Sequence, residues 1–284
     1  MKNYVLIAFA AVLAMGVFMA CSSQNKKKEN GNEDAKSSKY LVLYYSQTGV
    51  TKAVAEELQK KLGADIESIV VENPYSGTYD ETIERVKQER ADDNMPQLKA
   101  LKTDISGYDV IFIGYPVWFG TYALPIATLV KENDFAGKKI VPFCTFGSGG
   151  LDSSVKALKA ALPKAEIAAG YGVRSARITA MPNEVERFLK ENGYIDGEVE
   201  PLPEYSAQQP VTAEEIAIFD TACSGYKYPL GKPVTVGKRT TSDGTDYKYT
   251  VNGETPDGKT SVSTIYVTVS KAEHSKPEFT QVVR

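Results

Sequence analysis

The stretch YLVLYYSQTGVT, Tyr40–Thr51, decides the fold. Leu41–Tyr45 is an apolar run rich in β-formers. Ser46-Gln47-Thr48-Gly49-Val50-Thr51 follows at once, and an amphipathic helix starts inside it. A buried strand, a hydroxyl-rich turn and a helix N-terminus in that order make an anion site. The free first-turn N–H groups and the positive end of the helix dipole point at whatever sits in the turn. Ser46, Thr48 and Thr51 can donate as well, and Gly49 lets the backbone come close. The loop holds no Lys or Arg, which suits a single phosphate held by dipoles and hydroxyls, and it lacks the Gly-Lys-Ser/Thr ending of a Walker loop. Taken alone, the segment reads equally as a plain strand–turn–helix corner with a Ser/Thr cap.

Outward from this stretch, apolar strands alternate with amphipathic helices. Val50–Leu62 places Val54, Leu58 and Leu62 on one helical face, and Gly63 stops it. Asp65–Val71 is the second strand, Tyr79–Arg90 a charged, exposed helix, and Tyr108–Tyr115 a strand apolar enough to be buried on both faces. A helix over Tyr122–Val130 carries Pro125 in its first turn. Strand Lys139–Phe146, helix Asp152–Leu162, a fifth strand Ala165–Val173 and a closing helix Asn183–Glu191 complete the series. The repeated alternation predicts an α/β fold, a doubly wound parallel sheet of five strands with helices on both faces. Beyond a Pro-rich linker, residues 196–210, the pattern changes to one helix, Thr212–Ala222, with Ile216, Phe219 and Ala222 on a face. Strand candidates Lys232–Thr241, Asp246–Asn252, Ser261–Ser270 and Phe279–Val283 follow, some separated by Asp243-Gly244, Asn252-Gly253 and Asp257-Gly258 turns. That is a small α+β module over residues 211–284.

The 284 residues carry a net charge of −3 and no basic stripe, which argues against nucleic acid. His274 is the sole histidine, so Ser-His-Asp or Cys-His catalysis and a multi-His metal site are not expected. No catalytic side chain and no metal ligand is assigned; any chemistry belongs to a cofactor. The three cysteines, Cys21, Cys144 and Cys223, match no zinc or Cys-x-x-Cys spacing, and Cys144 reads as a buried small hydrophobe.

Residues 1–20 read as a signal sequence, with Lys2 before the apolar core Tyr4–Met19. Ala20-Cys21-Ser22-Ser23 resembles a bacterial lipobox, with Phe18 and Met19 departing from its usual residues. Lipid on Cys21 would anchor the chain to a membrane leaflet. Residues 21–39 form a polar tether. The expected location is the bacterial cell envelope, outside the cytoplasm, in the periplasm or on the surface.

Three loops leave the carboxyl ends of the parallel strands, where open α/β sheets bind ligands. They are Ser46–Thr51, then Pro116-Val117-Trp118-Phe119-Gly120-Thr121, then Thr145-Phe146-Gly147-Ser148-Gly149-Gly150. The first suits a phosphate, Trp118 in the second can stack on a planar ring, and the third can wrap a ring edge with backbone donors. Over roughly Lys39–Asn192 the chain resembles the flavodoxin family. Ser46–Thr51 is similar to its [S/T]-x-T-G-x-T phosphate loop, and Pro116-Val117-Trp118-Phe119-Gly120 to its P-x-W-x-G ring loop. The resemblance implies a flavodoxin-like fold and bound FMN. Ser46, Gln47, Thr48, Gly49, Val50 and Thr51 would hold the phosphate; Pro116, Val117, Trp118, Phe119, Gly120, Thr145, Phe146, Gly147, Ser148 and Gly149 would meet the ring. It also implies a peptide at Gly120 or Gly147 able to turn near the ring. The family's outer-face Tyr is missing from the third loop, where Phe146 is the candidate. The implied function is electron transfer to a redox partner protein, or reduction of a small acceptor such as a quinone. The alternative is a flavodoxin scaffold without cofactor, serving as a binding module at the cell envelope. The last module resembles a cystatin-like domain through its helix-then-sheet order and Thr240–Tyr249. Only Gly244 and Tyr247 of the Q-x-V-x-G-x-N-Y stretch are kept, so protease inhibition is not carried over.

Overall fold

The structure, a computed structural model, describes residues 39–255 and 258–284. The signal sequence, Cys21, the tether up to Ser38 and the turn residue Asp257 lie outside the described residues. Its first sheet consists of β1 (Tyr40–Tyr44), β2 (Asp65–Ser68), β3 (Val110–Trp118), β4 (Thr121–Tyr122), β5 (Lys139–Phe146), β6 (Glu166–Ile167) and β7 (Tyr171–Arg174). The order is β2-β1-β3-β5-β6, with β7 also on β5 and β4 folding back on β3. All pairings are parallel except β3–β4. The strand order reverses between β1 and β3, so the loops after them diverge and open a crevice there.

The period-two rule explains both cores. Leu41, Leu43 and Tyr45 of β1 join Ile111, Ile113 and Tyr115 on one face. That face is covered by α2 (Tyr79–Ala91), α3 (Leu124–Glu132) and α4 (Leu151–Ala161), through residues such as Val86, Leu129 and Leu158. Val42, Val110 and Phe112 face the other way, toward Val54 and Leu58 of α1 (Val50–Leu62) and Val185 and Leu189 of α5 (Met181–Glu191). Gly114 lies where a Cβ would sit 2.0 Å from the Phe143 ring, so the central strands approach as they do only because it is glycine.

Three sequence readings change here. The expected fifth strand, Ala165–Val173, is interrupted, and the cause is on its neighbour. Ile140 C=O accepts from Ala168 N–H, so two residues on Pro142 faces the same edge but has no N–H to offer. Strand β3 runs on to Trp118 instead of ending at Tyr115, and Pro116–Trp118 are strand, not loop. Helix α2 is not merely exposed: Thr82 and Val86 are buried.

The second sheet is antiparallel, ordered β12-β11-β10-β9-β8. Its strands are β8 (Gln209–Pro210), β9 (Lys232–Thr240), β10 (Gly244–Glu254), β11 (Thr260–Ser270) and β12 (Glu278–Val283). The end of the expected linker thus joins the sheet as β8. Helix α6 (Ala213–Cys223) starts with a capping box between Thr212 and Glu215 and packs Phe219 onto Val236, Tyr249, Ile265 and Phe279. Ile216, expected inward, is 37% exposed, and Glu215 takes the buried side instead. Lys238 and the Thr212 backbone N–H bond the Glu215 carboxylate and hold it below the usual carboxylate range. Among the described residues no helix is long and apolar enough to cross a membrane.

Candidate functional site

The helix α1 starts without a side-chain cap. Its N-cap is Gly49, at φ 88°, and no side chain accepts from its first turn. Ser46 Oγ accepts instead from Gly49 N–H at 3.1 Å, which shapes the turn and leaves the helical N–H groups that follow unclaimed by any cap. A Ser/Thr-capped corner is therefore not what this segment is.

Beside that helix end lies a cavity of about 460 Å³, lined by residues of all three loops. Gln47, Thr48 and Thr51 come from the first, Pro116, Val117, Trp118 and Phe119 from the second, Thr145, Phe146 and Gly147 from the third. Gly120, Ser148 and Gly149 line a second, adjoining cleft of about 740 Å³, which shares Val117, Phe119, Phe146 and Gly147 with the first. Ser46, Gly49 and Val50 line neither. Sequence reasoning missed Thr82, Ile83, Val86 and Ser175 in the first cavity. Val86 lies three residues after Ile83 and four after Thr82, a short one-face stripe among the charges of α2 and a signal that was there to be read. Thr82 also accepts from Gln47 Nε2 at 2.8 Å, tying α2 to the first loop.

The first and third loops are joined by a buried hydroxyl pair, Thr51 Oγ1 and Thr145 Oγ1, 2.8 Å apart. Each hydroxyl has one proton. If Thr145 donates, the Thr51 proton stays free for an anion at the helix end.

The second loop is a hairpin. Trp118 pairs with Thr121, and the two turn residues, Phe119 and Gly120, have φ of 52° and 76°. A two-residue turn of I′ geometry needs positive φ at both positions, and a phenylalanine held there is strained. Phe119 is 51% exposed, with the Arg90 guanidinium 4.9 Å from its ring centre. Trp118 is held edge-on by Tyr45 and Tyr75, at 5.7 and 5.0 Å. Phe146 is only 4% exposed and belongs to the core, though it lines both cavities. The Gly120 carbonyl accepts from Ser153 Oγ and the Gly147 carbonyl from Arg174 Nε, so both peptides expected to turn are already held.

No group here is tuned as an acid or base for neutral pH. Burial raises the hydroxyls of Tyr45 and Tyr75 far above neutrality and pushes the Cys144 thiol up to about 12. Cys144 and Cys223 are both free. Among the described residues no cluster could hold a metal ion.

Comparison with known proteins agrees with this geometry. The family pattern described as Flavodoxin matches residues 39–187. The chain belongs to the flavodoxin family. Among solved structures, a candidate flavoprotein from Bacteroides eggerthii DSM 20697 is 31% identical with a TM-score of 0.45, over 52% of this flavodoxin and 98% of its own chain. Another, from Bacteroides uniformis ATCC 8492, is 26% identical with a TM-score of 0.48, over 53% and 99%. A flavoprotein from Lactobacillus acidophilus NCFM, solved in complex with FMN, is 24% identical with a TM-score of 0.44, over 48% and 93%. No curated protein matches this flavodoxin. The family match, not the structural likenesses, carries the assignment.

The site fits a phosphorylated flat ring. One end offers an uncapped helix N-terminus and hydroxyls without a competing cation; the other offers an aromatic and aliphatic wall. At Gly147, which does not need positive φ, an added Cβ would meet nothing within 4 Å.

Proposed function

We propose that this flavodoxin is a lipid-anchored redox protein of the bacterial envelope that binds FMN and passes electrons to a partner protein or to a small acceptor such as a quinone. Its cofactor is FMN, which supplies one- and two-electron transfer when bound. The observation that carries the reading is the uncapped end of α1 opening on the cavity that Trp118 and the third loop also line. The hydroxyls of Ser46, Thr48 and Thr51 and the first-turn N–H groups would hold the phosphate. Trp118, braced by Tyr45 and Tyr75, would orient the ring, and the backbone of Gly147–Gly149 would meet its edge. Exposed Phe119 takes the outer position for which the sequence offered Phe146. Ile83, Val86 and Phe146 keep water from the wall, which strengthens every polar contact made inside. Turning the peptide at Gly120 or Gly147 would first break a hydrogen bond, at about 0.5–1.5 kcal/mol. The adjoining cleft, sharing Phe119 and Gly147 with the cofactor cavity, is where a small acceptor would approach.

Titrating the chain with FMN while following flavin fluorescence tests the cofactor; no quenching at micromolar protein would end the reading. Metabolic labelling with palmitate tests the anchor: wild type should take up label and Cys21→Ser should not. Mixing the reduced holoprotein with a soluble quinone tests the acceptor, and flavin colour that returns no faster than without quinone would remove that class.

A further inference from the structure

The second sheet has β12 at its edge. An edge strand exposes a row of unpaired N–H and C=O groups that folded proteins must cover. Here the third loop of the flavodoxin site covers it. Val282 N–H donates to Ser148 C=O at 2.7 Å. Val282 lies opposite Ile265, and its N–H points away from β11, so this bond belongs to no ladder of the second sheet. Next to it, a Cβ added at Gly149 would sit 2.3 Å from the Val282 carbonyl oxygen. Gly149 does not need positive φ, so glycine is required there by the close approach of β12 and not by the turn. Arg174, at the end of β7, holds the third residue. Its Nε donates to Gly147 C=O at 2.8 Å and a terminal nitrogen donates to Phe279 C=O at 3.3 Å, while the guanidinium lies 4.5 Å from the Phe279 ring centre. Gly147 is therefore held by Arg174, which bonds β12, Ser148 is held by β12 itself, and Gly149 lies in close contact with it. Gly147 also lines the cofactor cavity.

We propose that the C-terminal module is a working part of the cofactor site: β12 and Arg174 fix Gly147–Gly149 in the shape that meets the flavin ring, and bound FMN in turn tightens the docking of β12. This rests on the FMN reading above. Arg174 and Val282 are positioning residues, acting through the loop. The coupling is reciprocal because a loop shared by two binding events passes the same free energy in both directions. It also gives the module a role that needs no protease-inhibitor chemistry.

The test uses the full chain and two readouts. The first is FMN affinity by fluorescence titration in wild type, Gly149→Ala, Val282→Pro, Arg174→Gln and Arg174→Lys. Gly149→Ala, Val282→Pro and Arg174→Gln should weaken FMN by about tenfold or more, and Arg174→Lys should recover part of the loss. Lys60→Gln, which removes an exposed ion pair with Glu57 near the far end of α1, should stay within about twofold of wild type. The second readout is amide hydrogen exchange. Adding FMN should slow exchange in residues 278–283 of wild type, which a merely structural contact would not do. Gly149→Ala should speed exchange in residues 147–150 without any cofactor. Unchanged exchange in β12 on adding FMN overturns the proposal. So does a Gly149→Ala protein that binds FMN within about twofold of wild type while exchange shows β12 released. If wild type takes up no FMN, the functional reading fails instead, and exchange at 147–150 in cofactor-free Gly149→Ala still decides whether β12 holds the loop.

Discussion

Replacing Thr51 by Val separates the two tasks its hydroxyl performs. Thr51 and Thr145 are 2% and 3% exposed, and their hydroxyls lie 2.8 Å apart. Valine keeps the shape and removes the oxygen, so Thr145 is left with a buried hydroxyl and no partner. That costs about 1–3 kcal/mol of stability. Thr145→Val alone should cost a similar amount. The double variant removes both oxygens, and most of the loss should return, leaving a coupling energy of about 1 kcal/mol or more in the double-mutant cycle. Cofactor affinity should not return. A hydrogen bond to a charged group is worth about 1.5–3 kcal/mol, so both Thr51→Val and the double variant should bind FMN about 10–150-fold more weakly. Urea unfolding of the cofactor-free chain reads the first effect and fluorescence titration the second. A double variant that regains its stability and binds FMN as tightly as wild type refutes the assignment of Thr51 to the phosphate.

Thr48 is exposed at the same loop, so Thr48→Glu should abolish FMN binding and leave the melting temperature of the cofactor-free chain unchanged or slightly raised, since a carboxylate suits an uncapped helix N-terminus. Gly114→Ala should cost about 1–3 kcal/mol in urea unfolding, because its Cβ would fall 2.0 Å from the Phe143 ring; a cost below about 0.5 kcal/mol would mean that the central strands are not as tightly apposed as described. Glu215 gives a pH dependence. Its folded pKa lies below the ordinary 4.5, so its contribution is complete above 4.5 and is lost as pH falls through the folded value. The stability gap between wild type and Glu215→Gln should therefore narrow below pH 4.5, and a gap constant from pH 7 to pH 3 would show that the Lys238 and Thr212 bonds do not hold the carboxylate.

What could be read in the sequence was local. Helix Val50–Leu62 and strand Lys139–Phe146 have the predicted bounds, because their periodicity is clean and glycine follows each. The three candidate cofactor loops stood out as sequence stretches, and they come together because the sheet order puts the ends of β1, β3 and β5 side by side. What was not legible depends on distant partners. The break in the fifth strand is caused by Pro142, on another strand. Pro116 reads as the end of a strand, yet pairing with Thr145 carries β3 two residues further into a hairpin that forces Phe119 to positive φ. Gly149 looked like a residue for the ring, and the structure gives its Cβ space to a carbonyl of β12. The role of α2 was signalled only by Thr82, Ile83 and Val86, spread among the seven charged residues of the helix.

The central claim is that the uncapped end of α1, Trp118 and the third loop together hold one FMN. The visible absorbance spectrum of the full chain, purified, incubated with FMN and freed of excess by gel filtration, tests it most directly. A yellow protein with about one flavin per chain, and a Thr48→Glu variant that elutes colourless at the same volume, is the expected result. A wild-type protein that elutes folded and colourless would contradict the account.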